Sequence, residues 1–428
     1  MRGIRLVVYF VLVCLTSFYF FPFAFSFLPA VNTKMMLAAV GLVLFLIQMA
    51  RGRSGEIGRT FFWLSLLAVA VSLVAYASAV INGTRDYTYA TYIVSMWVWL
   101  GGAYGISKLI QGVHGKLSVV LVSNYLIAVC VLQCILALII DASPQFCSYV
   151  NRIVADLGFI EMDRLSGAGR LYGIGCCLDV AGTRFAAVLL IISFVTCRLS
   201  GIPSCARYLW LYLLAFVIIL IFGNMIARTT IVGFILAVFV WLRWGTIKEV
   251  GSRSLWKQLA LIMGISLIVT SVLYFTDAHF RMNLRFAFEG FFNLIEHGRW
   301  ETNSNSILAN MVVFPDSLHT WLIGDGYMLS PASTDPFYVG DYYGGGFYKN
   351  TDIGYLRFIF YFGVVGLLLF ASFFHATAIT LANTHAKYYW MFVFLLILNY
   401  IIWMKVSTDI FLVFAIYLCI SRRKPIRA

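Results

Sequence analysis

The sequence predicts an all-α polytopic membrane protein, and three observations carry that expectation. Of its 428 residues, 62% are hydrophobic and only 11% charged, with a mean hydropathy of +0.90; a soluble domain carries roughly 25% charged residues. Apolar runs long enough to cross a bilayer recur along the chain. The Lys and Arg residues that give the net charge of +13 gather on alternate connections between those runs.

Read with a window of about 19 residues, the runs fall at 5–29, 34–50, 60–80, 91–110, 117–141, 183–200, 207–223, 229–245, 256–275, 353–382, 388–404 and 408–420. That makes about twelve transmembrane helices, each close to the ~20 residues that a ~30 Å hydrocarbon layer requires. An even number puts both termini on one side. With the termini cytoplasmic, the inner side holds Arg2, Arg5, Arg51, Arg53, Arg59, Lys108, Lys116, Arg243, Lys248, Arg422, Arg423 and Lys424, while the short outer loops keep Lys34, Arg85, Arg228 and Lys405. This is the positive-inside bias. It explains the basic balance by topology, with no nucleic-acid partner.

The first run follows Arg2 and Arg5, is long, lacks a small-residue cleavage site and is soon followed by another run, so it reads as a retained anchor helix. The nine Cys residues lie mostly inside apolar runs, where a thiol is an ordinary small hydrophobe. For Cys147 with Cys176 or Cys177, a bridge and free thiols both remain open.

The chain reads as a single transmembrane domain, 1–428, with two long extracytoplasmic loops at about 142–182 and 276–352. Connections this long usually carry function or disorder, and Trp300, Trp321, Phe347 and several Tyr residues make disorder a poor fit. Within the second loop, Arg281, Arg285, Glu289 and Glu296 fall along one side of a helix over 281–296, opposite Phe286, Phe291, Phe292 and Ile295. Such a helix suits the membrane interface, either as a cap on the bundle or as a guide for a lipid substrate.

No phosphate-cradling G-x-x-x-x-G-K-[ST] loop is present, which argues against ATP-driven transport by this chain. Neither H-E-x-x-H nor clustered Cys/His spacing marks a metal site, and the run interiors are almost free of charge, unlike those of an ion antiporter. Charge collects instead on the outer side, at Arg152, Arg164, Arg170, Arg184, Arg228, Arg281, Arg285, Arg299 and Arg357. Guanidinium groups match phosphate oxygens bidentately and stay charged, so this group suits a lipid-linked phosphate or pyrophosphate. Acids including Glu289, Glu296, Asp325 and Asp352 lie among them, and for any one Arg a plain salt bridge is the alternative. The run from Phe337 to Tyr348, with Tyr338, Asp341, Tyr342 and three glycines, offers rings and a carboxylate of the kind that contact sugars; an interfacial aromatic belt is the other reading.

Five patches together resemble the O-antigen polymerase and ligase superfamily of bacterial envelope enzymes, the Wzy-type polymerases in particular. Arg170-Leu171-Tyr172-Gly173, continuing to Gly182-Thr183-Arg184-Phe185, looks like the family's Arg-x-x-Gly element, and Ala227-Arg228-Thr229 is similar to its Ser-Arg motif. Gly298-Arg299-Trp300 and Leu322-Ile323-Gly324-Asp325-Gly326-Tyr327 resemble the start and centre of its signature region. Asp352-Ile353-Gly354-Tyr355-Leu356-Arg357, leading to Tyr361-Phe362-Gly363-Val364-Val365-Gly366, is similar to the segment that re-enters the membrane. Ligases of the superfamily carry a His where this register has Asp352, which weakens a ligase reading.

The resemblance implies a GT-C-like glycosyltransferase in the bacterial cytoplasmic membrane that polymerises polyprenyl-pyrophosphate-linked repeat units on the periplasmic face. It implies lipid-linked glycan as both donor and acceptor, the bilayer as surroundings, a chain-length regulator as a candidate partner, and neither metal nor cofactor. In this scheme Arg170, Arg228 and Arg299 hold the pyrophosphate, and Arg184, Arg285, Arg357, Tyr338, Asp341 and Tyr342 line the substrate. Asp352 takes the proton from the attacking hydroxyl, or caps the helix that follows; the two roles are compatible. An O-antigen ligase and a lipid-linked oligosaccharide flippase are the alternatives.

Overall fold

Run length and proline decide where the helices stop. The computed structural model describes residues 2–52, 55–155, 170–245, 252–334, 338–341, 343 and 346–421. Helix α1 (Arg2–Phe20) ends just ahead of Pro22, which cannot donate to the helical ladder. The expected run 5–29 is therefore too long as a helix. Its second half turns into a small antiparallel hairpin, β1 (Ala24–Phe25) with β2 (Leu28–Asn32), which a hydropathy window cannot tell from helix because it registers apolarity and not period.

The chain continues through α2 (Thr33–Ala50), α3 (Gly55–Ile81), α4 (Tyr92–His114), α5 (Val119–Ala142), α6 (Pro144–Ile153), α7 (Leu178–Ser200), α8 (Leu209–Ile226), α9 (Thr230–Trp244) and α10 (Ser252–Thr276). Then come α11 (Ala278–Ala287), α12 (Glu289–His297), α13 (Asn303–Ala309), α14 (Leu318–Leu322), α15 (Gly354–Thr384), α16 (Tyr389–Trp403) and α17 (Phe411–Leu418). Among the described residues ten helices are long and apolar enough to cross a membrane, counting the turn Ala386–Tyr388 with α16. The protein is an all-α polytopic membrane protein, and the expected twelve spans become ten. The two that fall short are α9, with 15 residues, and α17, with 8, against the ~20 residues that usually span a ~30 Å layer. The expected helix over 281–296 is also divided, because Phe288 leaves helical geometry between α11 and α12.

The chain folds as two compact units, Met1–Leu44 with Gly101–Gly298, and Phe45–Leu100 with Arg299–Ala428. In the first, α7 is the central element, packed against α5, α8 and α9. An 18-residue window of α7 is 89% buried, whereas the best window of α10 holds no buried residue. Gly233 permits the close approach of α9 to α7, since a Cβ there would lie 2.2 Å from the Ala186 carbonyl oxygen. This is the small-residue contact by which membrane helices pack in the absence of a hydrophobic driving force.

In the second unit α15 packs against α3, α14, α16 and α17, and it is broken at Phe362-Gly363. Gly363 has φ of 67°, a conformation that favours glycine, and a Cβ would meet the Leu322 carbonyl oxygen at 2.1 Å. The break leaves carbonyls without helical partners, and the chain supplies them: Asp325 N donates to Phe360 O at 2.6 Å, Gly326 N to Tyr361 O at 3.2 Å and Ser78 Oγ to Tyr361 O at 2.7 Å. Irregular backbone inside an apolar bundle requires such internal satisfaction. Gly363→Ala is expected to destabilise the protein by about 3 kcal/mol through strain and overpacking, and Gly264→Ala, whose added Cβ meets nothing within 4 Å, by none. Thermal unfolding of the purified protein in detergent checks both.

Candidate functional site

Three connections of the first unit converge. Arg170 opens a tight turn in which Gly173 N donates to Cys176 O at 2.8 Å. Buried Gln133 of α5 clamps that turn: its Oε1 accepts from Ile174 N at 3.0 Å, and its Nε2 donates to Ile174 O at 3.0 Å and to Ser17 Oγ at 2.9 Å. Leu171 N donates to Met225 O at 3.3 Å, tying the segment to the end of α8. Arg228 occupies the connection between α8 and α9, and Gly182 at the start of α7 gives that connection room, since a Cβ would meet Ala227 and Thr229 at 2.9 Å. Finally, Asn224 Nδ2 donates to Ala287 O at 3.0 Å and fastens the end of α11 to α8.

These ties put two guanidinium groups on one ring. Arg228 lies 4.0 Å and Arg170 4.8 Å from the centroid of Phe286, within the range of cation–π attraction. Arg228 is also ion-paired with Glu289, at the first turn of α12. Arg170 has no carboxylate within ion-pair distance among the described residues, and its buried Nε has no hydrogen-bond partner. Burial pushes both guanidiniums down from the ordinary Arg range; the Arg228 charge lowers Arg170 further and the Asp179 charge opposes this, while Glu289 works in the opposite sense on Arg228. Two like charges share one ring, and the carboxylate at ion-pair distance is on Arg228.

The other first-unit candidates are differently engaged. Arg184 is buried in α7 over the ring of Phe21, 5.4 Å away. Arg285 donates bidentately to Glu296 at 2.8 and 2.7 Å and to Tyr274 Oη at 3.2 Å, a clasp joining α10, α11 and α12. The nine cysteines are free thiols; Cys147 Sγ lies 3.1 Å from Tyr172 Oη.

In the second unit, Asp352 precedes the N-cap position of α15, which falls on Ile353, and its carboxylate accepts from Arg357 at 3.2 Å. Arg357 also donates to Met328 O at 3.3 Å and stacks over Phe347 at 4.2 Å. Asp325, the centre of the Gly-Asp-Gly element, accepts from Thr320 Oγ1 at 2.7 Å and Tyr348 Oη at 3.1 Å, and desolvation, followed by the Asp325 charge, pushes the Tyr348 phenol up. Tyr348 gathers Tyr327 and Tyr343 at centroid distances of 5.4 and 5.3 Å, and Tyr338 lies 6.4 Å from Tyr327. Asp341 and Arg299 are exposed. Tyr342 and Arg164 lie outside the described residues.

Two groups escape a reading of the sequence. Asp86, 2% exposed, accepts from Met328 N at 2.8 Å, Leu329 N at 3.3 Å, Thr88 N at 3.1 Å and Thr88 Oγ1 at 2.6 Å. It organises the loop after Gly326, and no motif marks it. Likewise Asp141 at the end of α5 and His279 at the start of α11 meet in the wall of a cavity of about 240 Å³, of mixed polar and apolar lining, that Arg170 also lines. Among the described residues no group of three or more His, Cys, Asp or Glu is placed to hold a metal ion.

Asp86→Ala is expected to cost about 3 kcal/mol, since buried N–H groups left unbonded cost about 1–3 kcal/mol each. Limited proteolysis within 324–330 and thermal unfolding measure the effect. Comparison of the chain with family models, with curated proteins and with solved structures returns no match.

Proposed function

We propose that this membrane protein is a GT-C-like glycosyltransferase that polymerises polyprenyl-pyrophosphate-linked repeat units into O-antigen or a related surface polysaccharide. The observation that carries the reading is the pair Arg170 and Arg228 on the Phe286 ring, with Arg170 lacking a carboxylate partner among the described residues. Guanidiniums arranged in this way suit an anion of higher charge than one carboxylate, and pyrophosphate presents oxygens for both. As the glycosyl–oxygen bond breaks, negative charge grows on that oxygen, and preorganised donors favour the transition state over the ground state.

The lipid part of such a substrate has a matching surface. An almost wholly apolar groove of about 330 Å³ is lined by Leu220, Met263, Leu267, Leu284, Phe288 and Phe291 among others. An isoprenoid chain suits it in chemistry, and Leu284 and Phe288 stand two residues either side of Phe286, on which the Arg pair meets. Arg299 and the Tyr327, Tyr338, Tyr343 and Tyr348 rings are the second unit's candidates for phosphate and sugar contact. Asp352, which accepts from Arg357, is its candidate proton acceptor. Basic residues concentrated on one set of connections support both termini inside, which in this reading puts the site on the periplasmic face of a bacterial cytoplasmic membrane.

The test is a purified-protein assay with a lipid-pyrophosphate-linked repeat unit as sole substrate. Wild type is expected to produce a ladder of longer glycans, and Arg170→Ala and Arg228→Ala to lower kcat/KM at least about 100-fold, with Lys at either position a poor replacement. No ladder, with movement of the same lipid across a vesicle bilayer, would replace the enzyme by a flippase. Transfer to lipid A core in place of chain growth would make it a ligase.

A further inference from the structure

The cavity that Arg170 lines carries an arrangement beyond anion binding. Its walls are Asp141 and Ile140 of α5, Cys147 of α6, Tyr172 beside Arg170, and His279 and Asn283 of α11. His279 Nδ1 lies 3.3 Å from Asp141 Oδ2 and 3.4 Å from Asn283 Nδ2. Asn283 Nδ2 can only donate and Asp141 can only accept, and the charged partner is the stronger of the two, so it favours the imidazole proton on Nδ1 with the lone pair on Nε2. Among the described residues Nε2 has no hydrogen-bond partner. The helix start is independently fixed, because Asp277 Oδ1 accepts from His279 N at 2.8 Å and from Phe280 N at 3.1 Å. A carboxylate-oriented imidazole, an open cavity and a guanidinium in its lining are the parts of a base-assisted transfer to a hydroxyl.

We infer that His279 is the general base that activates the acceptor hydroxyl, with Asp141 as its positioning residue, and that the cavity receives the acceptor's terminal sugar. This rests on the glycosyltransferase reading and places the base in the first unit, in place of Asp352. In the step, the acceptor hydroxyl oxygen bonds to the donor's anomeric carbon as His279 Nε2 takes its proton. The bond from that carbon to the pyrophosphate oxygen breaks, and its electron pair leaves with the pyrophosphate beside Arg170 and Arg228. The imidazolium then returns its proton to solvent through the open side of the cavity, His279 being 55% exposed. Of the charged or titratable groups around His279, Asp141 contacts the ring, Asp277 its backbone N–H, and Arg170, Tyr172 and Cys147 line the same cavity.

The experiment uses the full chain in nanodiscs and compares wild type with His279→Gln, Asp141→Asn and Asp352→Asn. Equilibrium binding of the lipid-pyrophosphate glycan and single-turnover transfer between about pH 5 and 9, spanning the imidazole range, are read for each. His279→Gln is expected to bind donor within about twofold of wild type, to transfer about 10²–10⁴-fold more slowly and to lose the low-pH limb. Asp141→Asn is expected to slow transfer less, since the imidazole stays in place but loses the carboxylate that orients its proton. Transfer by His279→Gln within about threefold of wild type and with the limb intact would overturn the assignment alone; a comparable loss confined to Asp352→Asn would return the base to the second unit. Wild type that neither binds nor transfers the donor would overturn the parent reading and this one with it. An unchanged unfolding temperature of Asp141→Asn and His279→Gln separates loss of chemistry from loss of fold.

Discussion

The fastening of α11 and α12 to the end of α8 is the constraint on which the first unit's site depends. Asn224 holds the Ala287 carbonyl, and Arg228 holds Glu289. Phe286 immediately precedes those two points, so its ring is held against both Arg228 and Arg170. Without either tie the amphipathic pair would be a loose interfacial segment of the sort that many membrane proteins carry. With both, it closes one side of a cationic cluster, supplies part of an apolar groove and sets His279 against Asp141.

Electrostatics gives the cluster its meaning. Exposed ion pairs contribute little, and most Arg residues near carboxylates need no other explanation; Arg285 with Glu296 is such a pair. Arg170 differs, because burial and a neighbouring cation both act against its charge with no carboxylate at ion-pair distance among the described residues. An arrangement that raises the energy of the empty state becomes favourable when an anion arrives, and the same preorganisation then assists a leaving group whose charge increases.

The spans were legible because bilayer thickness imposes run length, and most boundaries fall within a few residues of the windows. Where legibility failed, hydropathy was silent about geometry: Pro22 ends α1 early, Phe288 divides the interfacial helix, and α9 and α17 are apolar but short. Arg170 and Arg228 could be nominated from motif and charge, though not their meeting at Phe286, which depends on chain segments far apart in sequence. The Gly-Asp-Gly element was visible as a motif, yet its glycines follow from packing: Gly324, at φ of 85°, sits against Tyr361 and Phe362 at the break in α15. Asp86, Asp141 and His279 were invisible because a lone polar residue near the end of an apolar run carries no pattern; only tertiary structure pairs it.

The most direct measurement of the central claim is the affinity of the purified full chain for a polyprenyl pyrophosphate at low and moderate salt, in wild type, Glu289→Gln and Arg170→Gln. Removing the carboxylate that competes for Arg228 should tighten binding, removing the second guanidinium should weaken it at least about tenfold, and salt should weaken binding in every form. Equal affinity in all three proteins would contradict the assignment of this guanidinium pair to a pyrophosphate.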